Sequence, residues 1–310
     1  MNDSIKYFVN IFLITIFLTG CGGGNDENNS TAVITKPITN DTKTVVSFGS
    51  STLEYMKDDL TRDLNQLGYT YVSDSIGGQI VETMQAHQGS NKIYINFENN
   101  TTLNLNQVYP IKWNQEINFG NRKAFGEFDV AIENAQGKIN LDKNTFLVKE
   151  IKNNSILKNT NYELDFNYSK YIKNSIFIIN VGKNNLSSGY SSKQIFDSIK
   201  LMTDYLDQNS NQKYIIIGYF VDTNGFYNDE ISKTNELLRN QYQNKYFDLQ
   251  DYLSSNYVWS DTNIQPTSQD LINQNKRILP VSLSKDSGHL NEITGKIISK
   301  KISKKLKDSF

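Results

Sequence analysis

Along most of the chain, short apolar runs alternate with stretches in which apolar residues recur every three or four positions. The runs are rich in β-branched and aromatic residues, as buried strands are, and lie at residues 44–48, 69–72, 176–181 and 214–219. Helical spacing follows the first run in Leu53, Met56, Leu60 and Leu64. The alternation predicts an α/β fold with a parallel sheet, which places ligands at the carboxyl ends of its strands.

The interval at about residues 92–166 has a different pattern. Polar and apolar residues alternate there with a period of two, as in residues 92–97 and 125–132, and Asn and Gly separate the stretches. This pattern is typical of antiparallel strands. We therefore expect a small antiparallel β insertion within the α/β domain. Its Tyr and Phe side chains form either the core of the insertion or a surface that stacks on sugars.

The amino terminus has the proportions of a secretion signal. An apolar run at residues 7–18 follows Lys6 and is too short to span a bilayer comfortably. It ends in Leu18-Thr19-Gly20-Cys21, which resembles a bacterial lipobox. That resemblance implies a signal peptide over residues 1–20 and a lipid anchor on Cys21; the alternative is an ordinary signal peptide with a chance cysteine.

The residues after Cys21 predict a tether and a location. Residues 21–43 are rich in Gly, Asn, Asp, Ser and Thr, so we expect a flexible linker before a folded domain at residues 44–310. Gly22, instead of Asp, follows the cysteine. By resemblance to Gram-negative lipoproteins, this suggests the outer membrane, on its periplasmic or surface face.

Composition removes several classes of function. The 310 residues carry 32 Lys and Arg against 33 Asp and Glu, a formal net charge of −1, which argues against a nucleic-acid-binding protein. Because the chain has one Cys and two His, it cannot form an intramolecular disulfide or a zinc site of the usual Cys/His kind. We predict no metal and no cofactor.

Four short blocks predict one site. Three of them follow predicted strands, where a parallel sheet has its ligand crevice. The fourth precedes the last predicted helix, whose apolar residues recur at helical spacing from Ile293 to Leu306. In chain order they are Phe48-Gly49-Ser50-Ser51-Thr52, Ile76-Gly77-Gly78-Gln79, Val181-Gly182-Lys183-Asn184-Asn185 and Asp286-Ser287-Gly288-His289-Leu290-Asn291.

These residue types suit acyl transfer. An alcohol nucleophile such as Ser51 needs a base, and His289 is one of only two histidines. Asp286, three residues earlier, is close enough to orient the imidazole. The backbone N–H groups of Ser51 and Gly78 and the amide of Asn184 are candidate donors for an oxyanion hole.

The four blocks together resemble the SGNH (GDSL-like) hydrolases, most closely a branch of bacterial and phage-tail proteins that carries a β insertion. The resemblance implies a flavodoxin-like core, Ser51 as nucleophile, His289 as base and Asp286 as its partner. It also implies Gly78 and Asn184 as oxyanion donors. Two positions depart from the family pattern: Ser50 replaces the usual Asp, and Asn185 stands where the family has Asp. A register shift of one residue would make Ser50 the nucleophile.

The expected function is therefore that of a lipid-anchored serine esterase. Its envelope location favours O-acetyl groups on cell-wall or surface carbohydrate as substrates. A lipase or thioesterase is the enzymatic alternative, which a long apolar groove beside Ser51 would support. A surface binding lipoprotein on a degenerate SGNH fold is the alternative without catalysis, and the missing Asp at position 50 motivates it.

Overall fold

The computed structural model of the protein describes residues 43–97, 101–115, 119, 126–152, 156–157, 161–209 and 212–310. The predicted signal peptide, Cys21 and all of the predicted tether except Lys43 lie outside these residues. The first described strand begins at Lys43. Those predictions therefore stay predictions.

The described strands fall into parallel and antiparallel groups. In chain order they are β1 (Lys43–Gly49), β2 (Tyr69–Ser75), β3 (Tyr94–Phe97), β4 (Thr101–Thr102), β5 (Val108–Trp113), β6 (Glu127–Ile132), β7 (Ala135–Asn140), β8 (Thr145–Ile151), β9 (Ile156–Leu157), β10 (Tyr162–Glu163), β11 (Ile176–Asn180), β12 (Tyr214–Ile217) and β13 (Tyr246–Phe247).

The described α-helices follow the strands of the parallel sheet. They are α1 (Ser51–Tyr55), α2 (Lys57–Gln66), α3 (Val81–Gln88), α4 (Ser192–Asn209), α5 (Asn228–Tyr242), α6 (Leu249–Leu253), α7 (Tyr257–Thr262), α8 (Ser268–Asn275) and α9 (Glu292–Ser309). Short 3-10 helices lie at Ser169–Tyr171, Lys183–Ser188, Gln243–Lys245 and Val281–Leu283.

The parallel sheet has five strands in the order β13-β12-β11-β1-β2. From β1 the chain crosses to β2 on one side and later returns to β11 on the other side. The carboxyl ends of β1 and β11 therefore flank the point where the strand order reverses. In open α/β sheets this switch point is where a ligand crevice forms.

Two separate apolar cores cover the two faces of this sheet. On one face, Val45 and Ile178 pack with Leu60 of α2 and with Ile298 and Ile302 of α9. On the other face, a second core joins β1 and β11 to α3, α4 and α5, and includes Val46, Phe48, Met84, Ile195 and Leu238. Alternate residues of β1 thus face opposite cores, as the strand period of two requires.

The antiparallel sheet forms a separate layer with its own core. Its six strands lie in the order β10-β3-β5-β8-β7-β6. Ala131 in β6 and Asp165, just after β10, exchange backbone hydrogen bonds of 2.7 and 2.9 Å. This exchange joins the two edges, so the sheet closes into a small barrel around a third apolar core that includes Ile95, Phe97 and Phe146.

The predicted fold class is confirmed: a parallel sheet has helices on both faces, and an antiparallel β unit is inserted. The apolar residues from Leu53 to Leu64 predicted one helix, but the structure has two. The chain leaves helical geometry at Met56, after α1, and resumes it as α2. The short helices α6, α7 and α8 were not predicted. Within the described ranges, no helix is both long and apolar enough to cross a membrane.

Asp270 connects α8 to the segment that leads into the fourth sequence block. Its side chain accepts hydrogen bonds from the backbone and hydroxyl of Thr267, at 2.9 and 2.7 Å, and of Ser282, at 3.0 and 2.7 Å. Burial opposes ionisation, but the bonds from Ser282 and Thr267 outweigh it and lower the pKa of Asp270.

We predict that Asp270→Asn destabilises the protein by about 2 kcal/mol at neutral pH, because hydrogen bonds to a charged group are lost. Because the pKa of Asp270 is lower in the folded protein than in the unfolded chain, where it is about 3.9, its ionisation stabilises the folded state above that pH. This stabilisation is lost as the pH falls below the unfolded-state pKa and through the folded-state pKa. The difference from wild type should therefore shrink in acid. Urea unfolding at several pH values measures it, with the exposed Asp229→Asn on α5 as the control; a difference independent of pH would contradict the assignment.

Candidate active site

Ser51 lies at the carboxyl edge of the parallel sheet, as the first residue of α1. The carbonyl of Ser50 accepts hydrogen bonds from the backbone N–H groups of Leu53, at 3.1 Å, and Glu54, at 3.0 Å. These bonds turn the chain from β1 directly into a helix. The Ser51 hydroxyl is therefore held at the strand-to-helix turn, whereas Ser50 is buried.

His289 contacts both of its predicted partners. Its Nε2 lies 3.0 Å from Ser51 Oγ, and its Nδ1 lies 2.8 and 2.9 Å from the two carboxylate oxygens of Asp286. The hydrogen bond from His289, supported by the backbone N–H of Gly288, lowers the pKa of Asp286 and keeps it ionised. Since a carboxylate only accepts, Nδ1 carries the proton and Nε2 presents its lone pair to Ser51.

The loop that carries Asp286 and His289 is closed by its own backbone. The N–H of Lys285 donates to the carbonyl of His289 at 2.9 Å, and the N–H of Asn291 donates to Leu283 at 3.0 Å. The Asn291 side chain donates to Ser282 at 2.8 Å and caps α9 by accepting from Thr294 at 2.9 Å. The loop is thereby fixed between the Asp270 cluster and α9.

The loop at residues 76–78 lies against Ser51 through Glu54. The backbone N–H of Gly77 donates to Glu54 Oε2 at 2.7 Å. A Cβ on Gly77 would lie 3.0 Å from that oxygen and 3.7 Å from Ser51 Cβ, so a side chain there would crowd the site. Gly78 has φ of +82°, which disfavours residues other than glycine. The turn thus places Gly78 directly after the residue that packs against Ser51.

Asn184 lies next to the same loop. Its Nδ2 donates to the carbonyl of Gln79 at 2.7 Å, which uses one of the two amide hydrogens and leaves the other for a ligand. The fully buried Asn185 accepts from the N–H of Val81 at 3.0 Å and donates to Glu82 at 2.8 Å. An Asp at position 185 would oppose the carboxylate of Glu82, so this departure from the family pattern fits its surroundings.

A half-buried ion pair connects the third and fourth blocks. Lys183 Nζ lies 2.6 Å from Asp222 Oδ1, and burial lowers the pKa of Lys183 although Asp222 acts in the opposite direction. The next residue, Thr223, donates its N–H to the carbonyl of Ser287 at 2.9 Å. Asp222 therefore holds Lys183, the neighbour of the oxyanion-hole candidate Asn184, and the adjacent Thr223 holds the loop that carries His289.

A small cavity adjoins His289. Its volume is about 160 Å³, and its lining includes Tyr55, Met56 and Leu290. The ring of Tyr55 meets the imidazole of His289 edge-on, with centroids 4.9 Å apart, and Lys285 Nζ lies 4.5 Å from the centre of the Tyr55 ring. The described residues contain no group of three or more His, Cys, Asp or Glu side chains that could hold a metal ion.

The structure places three of the predicted site residues, Ser51, His289 and Asp286, in direct contact. Asn184 bonds to Gln79, the residue after Gly78, and a Cβ on Gly77 would lie 3.7 Å from Ser51 Cβ, so the two oxyanion candidates lie on neighbouring loops. The hydroxyl that lies within hydrogen-bond distance of His289 belongs to Ser51, and not to Ser50. Sequence reasoning missed Glu54, Tyr55 and the Lys183–Asp222 pair. Glu54 could have been found, because it lies three residues after Ser51 and therefore on the same helix face. Nothing in the sequence around Asp222 indicates its role.

No family model matches the chain, and no curated protein matches it. Among solved structures, the chain is similar to a crystal structure from Parabacteroides merdae described as a GDSL-like lipase. The identity is 8%, the TM-score is 0.41, and the match covers 85% of this chain and 96% of the other. A likeness this distant shows nothing about the site, whose chemistry follows from its own geometry.

Glu54 is expected to position the Gly77–Gly78 turn. Glu54→Ala removes the acceptor for the Gly77 N–H, so we predict that kcat for a p-nitrophenyl ester falls by about tenfold, less than the loss of a whole oxyanion donor. Glu54→Gln keeps an acceptor oxygen and should retain most of the activity. Steady-state kinetics with a melting curve for each variant measures this; equal kcat in wild type and Glu54→Ala would refute the role.

Proposed function

We propose that this protein is a serine esterase of the SGNH type. The observation that carries the proposal is the chain of contacts from Ser51 Oγ through His289 to Asp286, at 3.0 and 2.8 Å. The distances match those of a nucleophile, its base and the group that orients the base. A structural role does not require this series, because a surface hydroxyl satisfies its hydrogen bonds with water.

In the proposed reaction, Ser51 Oγ attacks an ester carbonyl while Nε2 of His289 takes its proton. The resulting oxyanion accepts from the N–H groups of Ser51 and Gly78 and from the free amide hydrogen of Asn184. As the tetrahedral intermediate collapses, the carbon–oxygen bond to the alcohol breaks and His289 protonates the leaving oxygen. Water then attacks the acyl-enzyme with the same base, which releases the acid and restores Ser51. These steps use side-chain and backbone groups alone.

We propose short acyl groups, such as acetyl on envelope carbohydrate, as the substrates. The cavity beside His289 is small, at about 160 Å³, and its lining includes Tyr55, Met56 and Leu290. It supports a short acyl or alcohol portion better than a long lipid chain. A lipase or thioesterase would instead show activity that rises with acyl length.

We also propose that the protein is a lipoprotein held by a lipid on Cys21, with a cleaved signal peptide at residues 1–20. The sequence Leu18-Thr19-Gly20-Cys21 supports this proposal, and Gly22 supports the outer membrane as the destination. Several acyl chains on Cys21 anchor a protein far more firmly than one. The tether at residues 21–43 would then separate the esterase domain from the bilayer.

The purified protein should hydrolyse p-nitrophenyl acetate, with kcat/KM falling as the acyl chain lengthens. Ser51→Ala is predicted to lower kcat/KM by about 10⁴-fold, since it removes the nucleophile. The exposed Ser260→Ala on α7 is the matched control and should behave as wild type. Equal hydrolysis by wild type and Ser51→Ala would rule out the proposed nucleophile, and a rise with chain length would favour a lipase.

A further inference from the structure

A second cavity is lined by residues of the edge strand β2, of the inserted barrel and of the segment that follows it, and by Ile76 at the start of the loop at residues 76–78. Its volume is about 320 Å³. We call it the barrel groove, and the residues that define it are Ile76, His87, Glu127, Phe128, Asp129 and Tyr171. The site described above uses none of these side chains.

His87 lies at the buried border of the barrel groove. Its ring centre is 4.6 Å from Phe128 and 4.5 Å from Phe166, and its Nδ1 lies 2.8 Å from Asp74. The residue is 1% exposed, and within the described part of the chain its Nε2 has no hydrogen-bond partner. Burial of an unpaired ring nitrogen is unfavourable. A hydroxyl-bearing ligand in the groove would supply a partner.

Aromatic rings and carboxylates share the rim. The rings of Phe128 and Tyr171 are half-buried, while Glu127 and Asp129 are exposed. Two lysines lie at the same rim: Lys170 also lines the groove, and Lys138 Nζ lies 3.5 Å from Asp129. Aromatic faces suit the apolar faces of sugar rings, and carboxylates accept from their hydroxyls. Two exposed carboxylates repel an anionic chain.

The barrel groove is one short loop away from the nucleophile. Ile76 lines it, and the next residue, Gly77, bonds to Glu54 and lies beside Ser51. Because consecutive Cα atoms are about 3.8 Å apart, the groove and the Gly78 N–H are separated by no more than about two residues of chain. An extended polymer in the groove therefore reaches Ser51 within a small number of sugar units.

We propose that the barrel groove binds an uncharged glycan chain, and that it presents esters on that chain to Ser51. The binding of the glycan rests on the groove alone, whereas the presentation of esters to Ser51 rests on the proposed esterase function. It assigns the inserted barrel a role in substrate selection. The aromatic residues of the insertion thus divide, with Phe97 and Phe146 in the barrel core and Phe128 at the groove.

The test compares wild type with the double variant Glu127→Gln, Asp129→Asn, which removes both exposed carboxylates without loss of volume. On acetylated xylan, a neutral polymer, kcat/KM should fall about fivefold as hydrogen bonds to hydroxyls weaken. On p-nitrophenyl acetate it should stay within about 1.5-fold, because that substrate is too small to occupy both sites. The control is Glu133→Gln, Glu150→Gln, which removes two exposed carboxylates of the same barrel outside the groove and should change neither activity.

Calorimetric titration with an unesterified xylo-oligosaccharide separates the two proposals. If wild type hydrolyses neither substrate, the esterase proposal fails, and binding that the double variant weakens would still support the groove. Equal xylan kinetics in wild type and the double variant, or no oligosaccharide binding by wild type, would overturn the groove proposal. A parallel loss on both esters would also overturn it, since that result would indicate general damage to the Ser51 site.

Discussion

The hydrogen bond between His289 and Ser51 joins residues that are 238 positions apart in the chain, and the arrangement of the site depends on it. Ser51 is positioned by the end of β1, which lies between β11 and β2 in the parallel sheet. His289 belongs to an irregular loop that has no strand to hold it. The 3.0 Å contact therefore requires that the loop be fixed by other means.

Three sets of contacts fix that loop. Asp270 binds Ser282 at its start, Asn291 caps α9 at its end, and Thr223 donates to the carbonyl of Ser287 near its centre. The residue before Thr223 is Asp222, which pairs with Lys183. Movement of the loop would thus strain the neighbour of Asn184, so the base and the oxyanion-hole candidate are positioned together.

The sequence predicted the fold class because buried strands and amphipathic helices differ in period, and that signal is local. It also predicted that Ser51, Asp286 and His289 meet, because the blocks that contain them lay at a strand end and before a helix. Glu54, Asp222 and the groove residue Phe128 were beyond its reach. Their roles depend on which loops become neighbours in space, and local patterns of apolar residues do not show this. The break at Met56 was missed because apolar spacing continues across it.

The most direct test of the central claim is covalent labelling with a fluorophosphonate, followed by peptide mass mapping. We predict modification of Ser51 in wild type, and loss of that modification in both Ser51→Ala and His289→Ala, because the hydroxyl reacts only when Nε2 removes its proton. No labelling of wild type, labelling at Ser50, or equal labelling of His289→Ala would contradict the assignment of Ser51 and His289 as nucleophile and base.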